Sequence, residues 1–242
     1  MNERKTILIL GGTGEARQLA GRLVALGHDV TSSLAGRTAT PRLPAGKVRI
    51  GGFGGAEGLA AFLRAGGFTL LIDATHPFAA RISANAVAAS AEAGVPLIRL
   101  ERPAWVAPAG TAWIEVDTIA EAARALPDGA RALLTIGRQE IGAFAGRTDC
   151  HFIARVIDVP DDVPLGWEIV ATRGPFSVAG ETELMATRGI THLVSKNSGG
   201  DQAAAKLEAA AALGVKVVMV RRPILPEAET VAGIEEVLNG FR

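Results

Sequence analysis

Residues Thr6-Ile7-Leu8-Ile9-Leu10-Gly11-Gly12-Thr13-Gly14-Glu15-Ala16 begin as an apolar, β-rich run, stop at a glycine turn and pass into a helical pattern. That order opens a nucleotide-binding βαβ unit. Gly11, Gly12 and Gly14 let the backbone turn tightly and approach a phosphate with no Cβ in the way, and the first N–H groups of the following helix face an anion. Thr13 and Glu15 complete the candidate cradle. The third glycine of a G-x-G-x-x-G spacing would fall at Arg17, so the turn alone equally suits a plain strand-to-helix connection. The remainder of the chain decides between the two.

The 242 residues are 48% apolar and carry twelve prolines spread along the chain, which bounds a compact protein of one or two domains with a substantial core. Lys plus Arg and Asp plus Glu number 25 each, so there is no overall basic field for nucleic acid, and any anion site is local. The single cysteine, Cys150, excludes an intramolecular disulfide and a CxxC metal site. His28, His76, His151 and His192 show no metal-ligand spacing, so no metal is expected. The first strand begins at about Lys5, leaving no room for a signal sequence, and no uncharged apolar stretch is long enough to span a bilayer. A cytoplasmic protein without a membrane partner is expected.

Short Val/Ile/Leu-rich runs alternate with Ala-rich helical stretches, the pattern of a parallel sheet covered on both faces. Strands are expected at residues 6–10, 29–34, 47–51, 70–74, 96–100 and 112–116, then at 131–136, 149–156, 168–171, 192–195 and 216–220. Helices are expected at 119–125, 139–145, 182–188 and 202–213. The two series echo one another. Each half ends in a buried strand followed by Arg-Pro, at Arg102-Pro103 and Arg222-Pro223, and Leu133 to Glu140 repeats the first strand and turn with Arg138 in place of small residues. The expected fold is α/β, two Rossmann-like lobes with mainly parallel sheets and an inter-lobe cleft: residues 1–116 holding an NADP-type nucleotide, residues 117–242 holding the substrate.

An NAD-specific site places an acidic residue at the end of the second strand to receive the ribose hydroxyls. Here Ser32, Ser33 and then Arg37 occupy that region, offering hydroxyls and a guanidinium suited to a 2′-phosphate, which points to NADPH. Asp73-Ala74-Thr75-His76-Pro77-Phe78-Ala79 follows the fourth strand at the same carboxyl edge. Thr75, His76 and Pro77 are placed to hold the nicotinamide end, and His76 or Asp73 to give a proton. In the second half Arg138, Arg155, Arg173, Lys196, Ser198, Gly199, Gly200 and Arg222 fall at or beyond strand ends and, with Arg102, form a cationic rim for a ligand with several carboxylates or phosphates.

Gly-Gly-Thr-Gly-Glu-Ala at residues 11–16, Asp-Ala-Thr-His-Pro-Phe-Ala at 73–79, Arg-Leu-Glu-Arg-Pro-Ala-Trp at 99–105, Arg-Gly-Pro-Phe at 173–176 and Ser-Lys-Asn-Ser-Gly-Gly at 195–200 together resemble the precorrin-6A reductase family of cobalamin biosynthesis, over essentially the whole chain. The resemblance implies NADPH-dependent reduction of one macrocycle double bond, a polycarboxylate tetrapyrrole as substrate, and transient contact with neighbouring pathway enzymes. The family also has a branch that prefers NADH and acts on the cobalt-containing substrate. Arg37 after Ser32 and Ser33 argues for the metal-free, NADPH branch. A short-chain dehydrogenase or epimerase needs a Tyr-x-x-x-Lys pair, and the chain contains no tyrosine. A non-catalytic NADP sensor explains the glycine turn but leaves the cationic strand ends unused.

Overall fold

The computed structural model describes residues 3–36 and 42–241, the side chain of residue 202 excepted. From the amino terminus the elements are β1 (Thr6–Leu10), α1 (Gly14–Ala25), β2 (Asp29–Leu34), β3 (Lys47–Ile50), α2 (Ala56–Ala65), β4 (Leu70–Asp73), α3 (Ala80–Ala93) and β5 (Leu97–Leu100). There follow β6 (Ile114–Val116), α4 (Ile119–Ala125), β7 (Arg131–Thr135), β8 (His151–Val156), β9 (Glu168–Ala171), α5 (Val178–Thr187), β10 (His192–Lys196), α6 (Ala205–Leu213) and β11 (Lys216–Val220). The chain ends with β12 (Glu229–Val231) and α7 (Ile234–Asn239). Residues 139–145, expected as a helix, form only a short 3-10 turn at Ile141–Phe144, and the expected helix at 202–213 begins as a separate 3-10 turn, Asp201–Ala203.

All pairings are parallel, in two six-stranded sheets ordered β12-β5-β4-β1-β2-β3 and β6-β11-β10-β7-β8-β9. The shared order confirms the internal echo. Ile7, Leu8, Ile9 and Leu10 of β1 are fully buried because both faces are covered: Ile7 and Ile9 pack with Leu19 and Leu23 of α1, Leu8 and Leu10 with Leu59 and Leu63 of α2.

The division of the chain differs from the expected break at Val116. One compact unit comprises residues 1–103 with 223–242, the other residues 104–222. After β5 the chain leaves at Pro103, and its next strand, β6, pairs with β11; after β11 it leaves at Arg222, and its next strand, β12, pairs with β5. Each sheet therefore takes its sixth strand from the segment that follows the fifth strand of the other. The repeated Arg-Pro pairs mark the crossings. Sequence reading misplaced the boundary because neighbouring strands in a chain usually lie in one sheet. Val237, Leu238 and Phe241 of the returning segment complete the first unit's core. Among the described residues no helix is long and apolar enough to cross a membrane.

Leu238 is 2% exposed in that core. Leu238→Ala is expected to destabilise the protein by about 2–5 kcal/mol in urea unfolding, by lost burial and the cavity left behind.

Candidate functional site

The first parallel sheet brings the carboxyl ends of β1, β2 and β4 to one edge, where open α/β sheets take their ligands. Gly12 has φ +112° and would direct a Cβ into open space. The Gly11 N–H donates to the Ser33 carbonyl at 3.0 Å, fastening the turn to β2. Thr13 caps α1: its hydroxyl accepts from the Ala16 N–H at 3.0 Å and donates to the Ala74 carbonyl at 2.9 Å, fastening the turn to the end of β4. Gly14 and Glu15 open the helix, and the Glu15 carboxylate is paired with Arg102 at 2.8 Å. Arg102, expected among the substrate-binding cations, thus stands at the glycine turn of the first unit. Thr13, Glu15, Thr75, Pro77, Arg102 and Gly233 line a hollow of about 30 Å³ there, so the returning segment supplies part of its wall.

On β2, successive side chains point to opposite faces. The Ser33 hydroxyl accepts from Arg49 Nη1 at 2.9 Å; Arg49 lies directly across from it in the β2–β3 register. The same guanidinium donates to the Gly51 and Gly52 carbonyls, at 2.9 Å each, and lies 3.8 Å over the Phe53 ring. Ser32 is 2% exposed, and its Oγ has no hydrogen-bond partner among the described residues. Arg37 lies outside the described residues. Arg49 escaped sequence reading because a cation in a short edge strand reads as ordinary alternation.

Asp73 ends β4 at 2% exposure. Its Oδ1 accepts from the Thr75 N–H at 3.2 Å and the Thr75 hydroxyl at 2.7 Å, while Oδ2 faces Arg99 Nε at 3.5 Å. Arg99, 6% exposed on β5, also donates to the Pro226 carbonyl at 2.9 Å, so it ties the Asp73 loop to the returning segment. Asp73 Oδ2 and Arg99 Nε and Nη2 make no hydrogen bond among the described residues, and the adjoining hollow of about 10 Å³ has room for roughly one water. His76 is exposed, and its Nδ1 accepts from the Phe78 N–H at 3.2 Å. In the neutral ring that bond assigns the proton to Nε2. Pro77 beside it is buried.

In the second unit one loop gathers several of the expected residues. Asn197 follows β10, and its side-chain amide accepts from the Trp105 N–H at 2.8 Å and donates to the Trp105 carbonyl at 2.9 Å. Trp105 Nε1 donates to the Gly200 carbonyl at 3.0 Å, and Arg222 donates to the carbonyls of Asn197 and Ser198 at 2.8 and 3.2 Å. Gly199 and Gly200 take φ of +66° and +77°, left-handed values that favour glycine. Lys196 forms an ion pair with Glu140. Arg138 is exposed after β7, and Arg173 is half-buried before α5. Arg155 is not on a rim: it is buried and paired with Glu181 of α5, the Phe176 ring lying 3.9 Å from its guanidinium. Strand alternation turns it inward.

Arg99→Met leaves Asp73 buried without its counter-charge and is expected to cost about 3–5 kcal/mol in urea unfolding. Asp73→Asn combined with Arg99→Met should recover most of that loss, because no unpaired charge remains.

Comparison with known proteins gives one consistent family. A family model described as precorrin-6x reductase CbiJ/CobK matches residues 6–242. The chain is 54% identical to a precorrin-6A reductase of Rhodococcus erythropolis, covering 93% of this chain and 92% of that one, and 46% identical to a precorrin-6A reductase of Rhodobacter capsulatus, covering 96% and 94%. A solved structure of a CobK precorrin-6A reductase superposes with a TM-score of 0.93 at 44% identity, covering 98% of this chain and 95% of that one. With matches spanning both units and every motif above, the chain belongs to the precorrin-6x reductase CbiJ/CobK family.

Proposed function

We propose that this protein reduces one carbon–carbon double bond of precorrin-6A in cobalamin biosynthesis, with NADPH held by the first unit and the acidic arms of the tetrapyrrole held by the second. The observation that carries the cofactor assignment is the pairing of Arg49 with the Ser33 hydroxyl at the end of β2, beside the glycine turn. A hydroxyl and a guanidinium stand where an NAD site places a carboxylate, while Ser32 is buried on the opposite face of β2. The open space over Gly12 suits a pyrophosphate, with Gly14 and Glu15 starting the helix behind it.

Bound there, NADPH supplies the hydride, and a proton completes the addition of two hydrogens across the double bond. The task of the chain is positioning, exclusion of water and proton supply. His76 is the proton donor in this reading, because its ring is exposed on the loop beside the glycine turn. Asp73 serves instead as the anchor of that loop, since both its oxygens face partners within it or on β5. Lys196 and the glycines of its loop, together with Arg222, suit the carboxylates of a polyacidic ring.

The purified protein should consume NADPH only with precorrin-6A present, yield a product heavier by two hydrogens, and work poorly with NADH. NADPH binding without consumption would leave the sensor reading in its place. Arg37→Ala or Arg49→Gln should raise the KM for NADPH about ten- to hundredfold and leave that for NADH unchanged, since a charge-assisted bond to the 2′-phosphate contributes about 1.5–3 kcal/mol. Equal losses for both cofactors would defeat the assignment. His76→Ala should lower kcat by about a hundredfold at an unaltered KM for NADPH; an unchanged kcat removes His76 from proton transfer.

A further inference from the structure

Three charged side chains of the second unit are buried together, and they do not balance. Arg155 of β8 pairs with Glu181 of α5. The third is Lys206, the second residue of α6, which is 5% exposed. Its ammonium lies 5.1 Å from the centroid of the Trp105 ring. Two cations against one carboxylate leave a positive charge in excess. Glu181 Oε2 is buried without a hydrogen bond. The charged groups facing Lys206 are Arg155 and Glu181, and the loop side contributes the uncharged indole.

Burying two cations with one carboxylate is costly, and an apolar side chain of similar length in place of Lys206 would pack there at lower cost. Its position gives the charge a use. The indole against Lys206 is the one whose Nε1 donates to the Gly200 carbonyl, so the ammonium stands beside the loop in which Gly199 and Gly200 both take left-handed φ. We propose that Lys206 receives a carboxylate of the ligand bound at the Asn197–Gly200 loop, with Trp105 as the apolar wall of that position. That the carboxylate belongs to a tetrapyrrole rests on the function proposed above; the demand for an anion rests on the buried charges.

Proton linkage follows. Burial first, and then the Arg155 charge, push Lys206 down to about 7 in the ligand-free chain, against a smaller opposing effect of Glu181. A carboxylate placed on Lys206 favours the charged form, so the bound-state value is higher. Affinity is then full below pH 7 and falls about tenfold per pH unit above it, where a proton must be taken up with the ligand.

The test is binding of precorrin-6A without NADPH, followed by tryptophan fluorescence from pH 6.5 to 9. Calorimetry at pH 8 in two buffers of different ionisation heat counts protons, and turnover is measured separately. The wild-type protein should show the tenfold slope and uptake of close to one proton. Lys206→Met should bind weakly and without the slope, whereas Lys206→Arg should restore tight binding that stays level with pH, because the guanidinium keeps its charge. NADPH affinity should be unchanged in both variants, which separates lost anion binding from lost folding. Wild-type affinity level across this pH range with no proton uptake, or Lys206→Met binding like wild type, overturns the proposal. Proton-linked binding without turnover would sink the reductase reading and leave Lys206 standing; turnover with pH-independent binding would do the reverse.

Discussion

The structure depends on the main-chain pairing of β5 with β12 and of β11 with β6. A parallel sheet cannot obtain its next strand through a tight hairpin, because the chain must first return to the starting edge. Here the return path runs through the whole of the other repeat. Each exposed edge is closed by a three-residue strand from elsewhere in the sequence, so neither unit is completed by the residues of its own repeat. The added strand pairs the outer N–H and C=O groups of β5 or β11 and leaves a sheet edge only three residues long, a smaller template for association.

The residues flanking the two crossings carry much of the candidate site. Arg102, one residue before the first crossing, holds Glu15 at the glycine turn. Trp105, just after it, clasps Asn197 and Gly200, and Arg222, just before the second crossing, holds the carbonyls of the same loop. Arg99, behind the first crossing, reaches the Pro226 carbonyl just beyond the second. The covalent path through the fold and the polar network around the candidate ligand positions therefore share residues, and the family to which the chain belongs is recognised in part by those same stretches.

Most of the sheet was legible in the sequence, because a strand buried on both faces reads as an uninterrupted apolar run bounded by turn residues. Thr6–Leu10 and Lys216–Val220 match their expected bounds for that reason, and Asp29–Leu34 and Glu168–Ala171 match theirs on shorter apolar stretches. Glu229–Val231 did not announce itself: a short, largely exposed edge strand has no apolar run, and its partner lies far away in sequence. In the candidate site the glycine turns at Gly12 and Gly199-Gly200 were legible as backbone features, and side-chain pairing across elements was not. Arg155 reads as a rim cation until Glu181 is seen opposite it. Lys206 reads as a solvated charge on an Ala-rich helix until Trp105 is found against it. Arg49 gains meaning only from the register that sets it beside Ser33.

The late arrival of β12 and α7 bears on biosynthesis. At ribosomal rates of about 5–20 residues per second, roughly 6–25 s separate completion of β5 from emergence of the strand that pairs with it. Throughout that interval the nascent chain carries an open sheet edge and an apolar surface awaiting Val237, Leu238 and Phe241. The opposite unit receives its edge strand β6 before its own first central strand is made. The carboxyl-terminal half of the sequence is thus equipped to reach its native sheet before the amino-terminal half, and the first segment to leave the ribosome is the last to be closed.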